Sequence, residues 1–335
     1  MKNITKVGLS ALAGALAITS ANAGEMSMSG SMEASYTKGS GYKTTGNPLG
    51  MDKELSITGS GELDNGTTVS YKQTVGDSFG FNDSEIVFGG VLGMADVALT
   101  STGSPISAID DVTPTAFEEA NALIGSIDDV NGMDGTYGIR VTMADVMGTG
   151  FKVDAMYTTA VGTGDAQADN GTSGEKGATL DDGEEITVTG SVPMVEGLDV
   201  GVGYYDQETD STVTTGNYGQ DEGTAYIKYS TGPVSLGYQK GAVTNYTGGA
   251  EETQFVNNYY GISYKVSDAL SISYNEMDSR KVVGGSDVEQ DFDSISLSYT
   301  VGGMTIGVAD AEVSNAAYTS GRTADETSVS LSIAF

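Results

Sequence analysis

The 335-residue chain has no cysteine, no histidine and no tryptophan, only 5 prolines, and 15 lysines and arginines against 46 aspartates and glutamates. Without imidazole or thiolate there is no Ser-His-Asp triad, no thiol nucleophile, no iron–sulfur cluster and none of the usual zinc sites. A formal charge of −31 excludes nucleic acid as a partner, because phosphate binding draws on clustered Lys and Arg. At 38% hydrophobic the chain is too polar for a bundle of membrane helices, and its patterning is too regular for a disordered one.

What is present begins with an export signal over residues 1–23. Lys2 and Lys6 form a basic start, Val7–Ile18 is small and apolar, and Ala21-Asn22-Ala23 fits a small-x-small cleavage site. The apolar run is shorter than the roughly 20 residues of a membrane-spanning helix. Cleavage before Gly24 removes two lysines and no acid, taking the formal charge from −31 to −33. The absence of thiols suits passage through an oxidising compartment.

From Glu25 onward the sequence alternates with period two, the mark of a strand with one apolar and one polar face. Met26, Met28, Met32, Ala34 and Tyr36 alternate with Ser27, Ser29, Ser31, Glu33 and Ser35, and Ile295, Leu297, Tyr299 and Val301 repeat the pattern. Such runs fall at 26–36, 53–63, 66–76, 84–92, 94–101, 135–145, 149–160, 184–194, 197–207, 222–231, 233–242, 255–266, 268–278, 290–301, 303–313 and 325–335. They number sixteen, and many approach the roughly 9–11 residues of a tilted membrane strand.

Short turns such as Asp64-Asn65-Gly66 and Gly232 are interleaved with longer loops near 37–52, 77–83, 102–134, 161–183, 208–221, 243–254, 279–289 and 314–324. Two soluble β-sandwich domains would also satisfy the alternation. The aromatics favour a barrel. With strands alternating in direction, Tyr36, Tyr157, Tyr204 and Tyr274 fall toward the long-loop end, and Phe151, Tyr229, Tyr264, Tyr299 and Phe335 toward the short-turn end. Two belts on the apolar face are what a bilayer with two interfaces selects. The expected fold is all-β: a 16-stranded antiparallel transmembrane β-barrel over residues 24–335.

The signal, the opening Glu25-Met26-Ser27-Met28-Ser29-Gly30, the sixteen strands and the ending Ser328-Val329-Ser330-Leu331-Ser332-Ile333-Ala334-Phe335 resemble the general porins of Gram-negative outer membranes, most nearly those of alphaproteobacteria. The resemblance implies water-filled barrels associated as homotrimers in the outer membrane, each narrowed by an inward-folded third long loop, with the terminal Phe335 as the membrane-assembly signal. Sixteen strands are enough to leave an aqueous lumen.

The third long loop, 102–134, is also the longest. It carries Asp110, Asp111, Glu118, Glu119, Asp128, Asp129 and Asp134 and no basic residue. Pro114, the capping-box spacing of Thr115 and Glu118, and Phe117, Ala120 and Ile124 on one side predict a short helix whose apolar side grips the barrel wall. The acids then form the pore constriction; a solvated acidic surface is the bland alternative. Alternation turns Lys72, Arg140, Lys152, Lys228 and Lys265 inward as basic pore lining. Arg140 is the foremost candidate partner for the loop, or else a member of a local salt bridge. Inward acids Glu33, Glu54, Glu62, Asp96, Asp154, Glu185 and Asp199 outnumber those bases. The arginine-rich wall of the family is missing, since Arg280 and Arg322 fall in expected outer loops. A cation-preferring pore for small hydrophilic solutes and ions follows.

No cofactor is expected. Acidic outer loops, among them Asp181-Asp182 with Glu184-Glu185 and Glu251-Glu252, offer oxygen ligands for calcium or magnesium, or for cation bridges to lipopolysaccharide among the surrounding outer-membrane lipid. Gly30, Ala34, Gly59 and Gly61, facing lipid on the first two strands, let barrels pack closely. The alternative reading is an acidic, calcium-binding secreted or cell-surface structural or adhesive β-protein, soluble without detergent. An outer-membrane lipase or protease lacks its catalytic groups in this sequence.

Overall fold

The computed structural model describes residues 24–42, 44–76, 81–118, 120, 127, 129–133, 137–158, 180–209, 217–247 and 252–335. The expected signal segment lies outside them, as do Glu119, Asp128, Asp134 and Ile124.

Sixteen antiparallel strands close into one barrel in which every strand pairs with its neighbour in sequence and β1 pairs with β16. They are β1 (Glu25–Gly41), β2 (Leu49–Glu62), β3 (Thr68–Val75), β4 (Phe81–Val91), β5 (Ala95–Thr100), β6 (Gly138–Met143), β7 (Phe151–Thr158) and β8 (Leu180–Ser191). The second half comprises β9 (Leu198–Thr209), β10 (Asn217–Thr231), β11 (Val234–Thr247), β12 (Thr253–Lys265), β13 (Leu270–Val283), β14 (Ser286–Val301), β15 (Met304–Ser314) and β16 (Thr323–Ala334). Each coincides with one expected segment.

Several strands run past their expected ends. β14 has 16 residues, and the loop expected at 279–289 reduces to a hairpin turned by Gly284 and Gly285, both at positive φ. The reason is a reversal of polarity at constant phase. Near the membrane Ile295, Leu297 and Tyr299 face outward while Ser294, Ser296 and Ser298 are buried inward. Toward the long-loop end the same strand turns Asp291 and Asp293 outward and Phe292 inward. Outside the bilayer the apolar side of a strand is the inner one, so the alternation continues with its polarity reversed. Arg280 accordingly lies in β13, facing Asp287 at 3.9 Å.

The aromatics expected in the belts are exposed on the outer wall: Tyr36, Tyr157, Tyr204 and Tyr274 from the one, Tyr229, Tyr264, Tyr299 and Phe335 from the other. Phe151 is half-buried. Tyr274 stands opposite Ile262, only two residues from Tyr264, and so nearer the short-turn end than expected. β1 and β16 pair from Ser31 opposite Ala334 to Gly41 opposite Ala324, and at the end of this ladder the backbones of Gly30 and Phe335 exchange hydrogen bonds of 2.8 and 2.9 Å. A Cβ at Gly30 would stand 2.7 and 2.9 Å from Phe335 ring atoms, so the terminal ring lies over the glycine. Gly30→Leu is therefore expected to cost about 1–3 kcal/mol of barrel stability through overpacking. Heat-modifiable gel mobility should show unfolding at a lower temperature, with Phe335→Ala relieving most of the loss; an unchanged transition would refute the contact.

Candidate functional site

The third long loop leaves β5 and returns at β6, and at its departure Arg140 on β6 holds it. The guanidinium donates to the Gly103 carbonyl (2.8 Å) and to Glu85 (2.7 Å), with Asp154 at 3.8 Å. Asp154 also pairs with Lys152 at 2.8 Å. Arg140 thus faces inward, but its partners are wall carboxylates and a loop carbonyl, not the acids of the loop.

From there the loop lies along the inner wall of β8–β15. Its two legs meet on Glu185 of β8, which accepts hydrogen bonds from the Ser104 hydroxyl (2.7 Å), the Ile106 amide (3.1 Å) and the Met133 amide. Glu222 of β10 accepts from the Asn131 and Gly132 amides at 2.7 and 2.9 Å. Gln239 of β11 donates to the Ile109 and Asp110 carbonyls, both at 2.7 Å, and accepts from the Val112 amide at 2.9 Å. These wall side chains satisfy loop backbone groups that a buried irregular segment would otherwise leave unpaired. Ile106, Val130 and Met133 pack with the wall residues Met156, Tyr205, Val243 and Phe255, each buried side chain contributing about 1.5–3 kcal/mol.

Of the helix expected around 114–124, residues 119 and 121–124 lie outside the described residues; in the described part the Ala120 amide donates to the Phe117 carbonyl at 3.1 Å, a single 3₁₀-type turn. The Thr115 hydroxyl donates to the Phe117 carbonyl (3.1 Å), and the amides of Ala116 and Phe117 go to Ser273 (2.9 Å) and Ser296 (3.2 Å) of the wall. A short 3₁₀ turn sits earlier, at Ser107–Ile109. The apolar grip does form, with Phe117 and Ala120 against Ala309 of β15.

Among the loop acids, Asp110, Asp111 and Glu118 are partly exposed. Asp129 is turned into the wall, accepting from Tyr259, the Val130 amide (2.8 Å) and Asn257 (3.2 Å). Of the bases, Lys72 is exposed on the inner face of β3, and Lys228 is half-buried on β10. Lys265 is a correction: it pairs with Asp268 at 2.9 Å in the β12–β13 turn, at the short-turn rim and away from the loop. Glu185 is another, being 3% exposed and engaged in holding the loop. Between the loop tip and the β16–β1 wall lies a cavity lined by Glu33, Ser35, Thr37, Phe117, Glu326, Ser328 and Ser330. Among the described residues no group of three or more acidic side chains converges as a metal site.

A family model described as Gram-negative porin matches residues 8–335. The chain belongs to the Gram-negative porin family. No curated protein sequence matches it. Solved structures of similar fold include the anion-selective porin from Comamonas acidovorans, 14% identical, with a TM-score of 0.64 over 93% of this chain and 99% of that one. The outer-membrane-expressed OmpT of Vibrio cholerae is 10% identical, with a TM-score of 0.66 over 95% and 99%. The outer-membrane channel DcaP of Acinetobacter baumannii is 11% identical, with a TM-score of 0.63 over 95% and 99%.

In this porin the wall residues that seat the loop, Glu222, Gln239, Ser273 and Ser296, carried no signal in the sequence beyond their inward phase. Two expectations follow. Glu185→Gln removes a charged acceptor shared by both legs, worth about 1.5–3 kcal/mol per hydrogen bond; hydrogen-exchange protection at 104–106 and 131–133 should fall at least tenfold, and undiminished protection would contradict the role.

Burial pushes the Asp129 carboxyl up from 3.8 to about 6, with Asp111 adding to the rise and the bonds from Tyr259, Val130 and Asn257 opposing it. A carboxyl with a raised pKa holds its proton more tightly when seated. Its support for the seated loop is full below pH 3.8 and is lost as pH rises through about 6, a difference of about 3 kcal/mol. Protection at 129–133, corrected for intrinsic exchange, should decline from pH 4 to pH 7 in the native chain, and this component should vanish in Asp129→Asn.

Proposed function

We propose that this porin is a passive, water-filled channel for small hydrophilic solutes and ions, that it catalyses no reaction, and that it prefers cations. The observation that carries the preference is the imbalance on the wall left uncovered by the loop. Glu33, Asp52, Glu54 and Glu326 share the inward phase of β1, β2 and β16, against Lys72 on the inner face of β3, and Arg140 and Lys152 are paired with Glu85 and Asp154. With Asp110, Asp111 and Glu118 on the loop, both sides of the opening carry negative charge, and fixed charges at a constriction decide which ions enter. The fold is shared with a porin described as anion-selective, so selectivity belongs to these residues and not to the barrel.

The working unit in this reading is a homotrimer. Outward-facing carboxylates lie on β8–β16; among the described residues none faces outward on β1–β7, where Lys38 and Lys53 accompany Gly30, Ala34, Gly59 and Gly61. That sector suits contact between copies, while the acidic sector suits the headgroup region. There Glu276, Asp293, Glu312 and Asp325 stand directly opposite one another across four strands. Like charges so placed repel, and calcium or magnesium shared with lipopolysaccharide phosphates would relieve them. Residues 1–23 direct export and Phe335 acts as the assembly signal for the outer membrane. An apolar outer wall with exposed aromatics favours this reading over an acidic surface protein.

Planar-bilayer recording tests it. The expected result is conductance in steps of three, with a reversal potential in a salt gradient showing cations more permeant than anions. Glu33→Gln with Glu54→Gln should move that potential toward the unselective value. Absence of conductance would refute the channel, and an anion-selective reversal potential would refute the preference.

A further inference from the structure

The loop crosses the inner wall at positions where the wall has no side chain. On β9 a Cβ added to Gly203 would stand 3.1 Å from both Ile106 and Ile109. On β11 the space over Gly237 is taken by the Pro114 ring. On β12 a Cβ at Gly261 would stand 2.8 Å from the Pro114 carbonyl oxygen and 2.9 Å from Thr113. On β15 the Phe117 ring fills the space over Gly307. Other inward positions of the same strands carry side chains, among them Tyr205, Gln239, Tyr259 and Ala309, while the inward Gly201 is covered by Tyr226 of the wall and Gly241 faces Asp129 of the loop. Gly203, Gly237, Gly261 and Gly307 are the gaps that lie under the loop from Ile106 to Phe117.

We infer that Gly203, Gly237, Gly261 and Gly307 are positioning residues that set the width of the channel, by letting the loop sink into the wall by the depth of one side chain. A single C–C bond is about 1.5 Å, and carbon atoms in contact settle about 3.5–4.0 Å apart. A methyl group at Gly307 therefore displaces the Phe117 ring toward the lumen. Phe117 lines the cavity that separates the loop tip from Glu33, Ser35, Ser328 and Ser330, so the displacement narrows that opening. The glycines act through Phe117, Pro114 and Ile106 and touch no solute themselves. The inference rests on the channel reading, and adds that the aperture is encoded in the wall as well as in the loop.

The test compares single-channel conductance, and the size limit for neutral sugars in liposome swelling, across refolded variants. Gly307→Ala should lower conductance by about a third or more and shift the limit to smaller sugars. Phe117→Ala in the same chain should restore both, which a general loss of stability would not do. Gly203→Ala, with its milder 3.1 Å approaches, gives the same direction if Gly307→Ala does not fold. Gly223→Ala, whose added Cβ meets nothing nearer than 3.8 Å, should leave both readouts unchanged. A conducting native protein whose folded Gly307→Ala or Gly203→Ala variant keeps native conductance and size limit would overturn the inference. So would failure of Phe117→Ala to rescue. A native protein that does not conduct would bring down the channel reading beneath it.

Discussion

In hydrocarbon no backbone amide or carbonyl can be left without a partner, and the rest of this molecule depends on meeting that demand. A sheet of sixteen strands meets it only if its first and last strands pair. Here they pair from Ser31 opposite Ala334 to Gly41 opposite Ala324, and the join ends at Gly30 and Phe335, the one supplying space and the other the final ring. Once the sheet is closed, period-two alternation leaves the chain an inner face to fill or leave wet. The width that follows from sixteen strands is more than side chains alone can fill. The interior is occupied instead by a segment of the chain itself.

That segment obeys the same demand. The loop carries irregular backbone into a confined space, and the wall answers it with carboxylates for amides, Gln239 for both carbonyl and amide, and serines for the amides at the tip. The acidity of the inner wall consequently serves two ends. Glu185 and Glu222 are buried structural acceptors, whereas Glu33 and Glu326 border open space. Net charge alone does not separate these groups.

The sixteen strands were legible because alternation is a property of each residue's neighbours in sequence. Their ends were not, since Phe292 between Asp291 and Asp293 keeps the period while reversing which face is apolar. The loop's place was legible from its length and order, and its course was not. Thr115 and Glu118 have helix-capping spacing, yet the Thr115 hydroxyl goes to the Phe117 carbonyl and the amides of Ala116 and Phe117 go to Ser273 and Ser296, some 160–180 residues away in sequence. Arg140 was legible as inward-facing, but its partner Glu85 is fixed by register between strands. A glycine under a loop looks the same in sequence as a glycine in a turn.

The meeting of both legs on Glu185 has a mechanical consequence. A loop fastened at separate points can peel from one end, like tape. Here the Ser104–Ile106 leg and the Met133 leg share one side chain, so loosening either weakens the hold on the other. The two legs are thereby coupled where they leave and rejoin the wall, while the stretch between them is held at its own points by Gln239, Ser273 and Ser296.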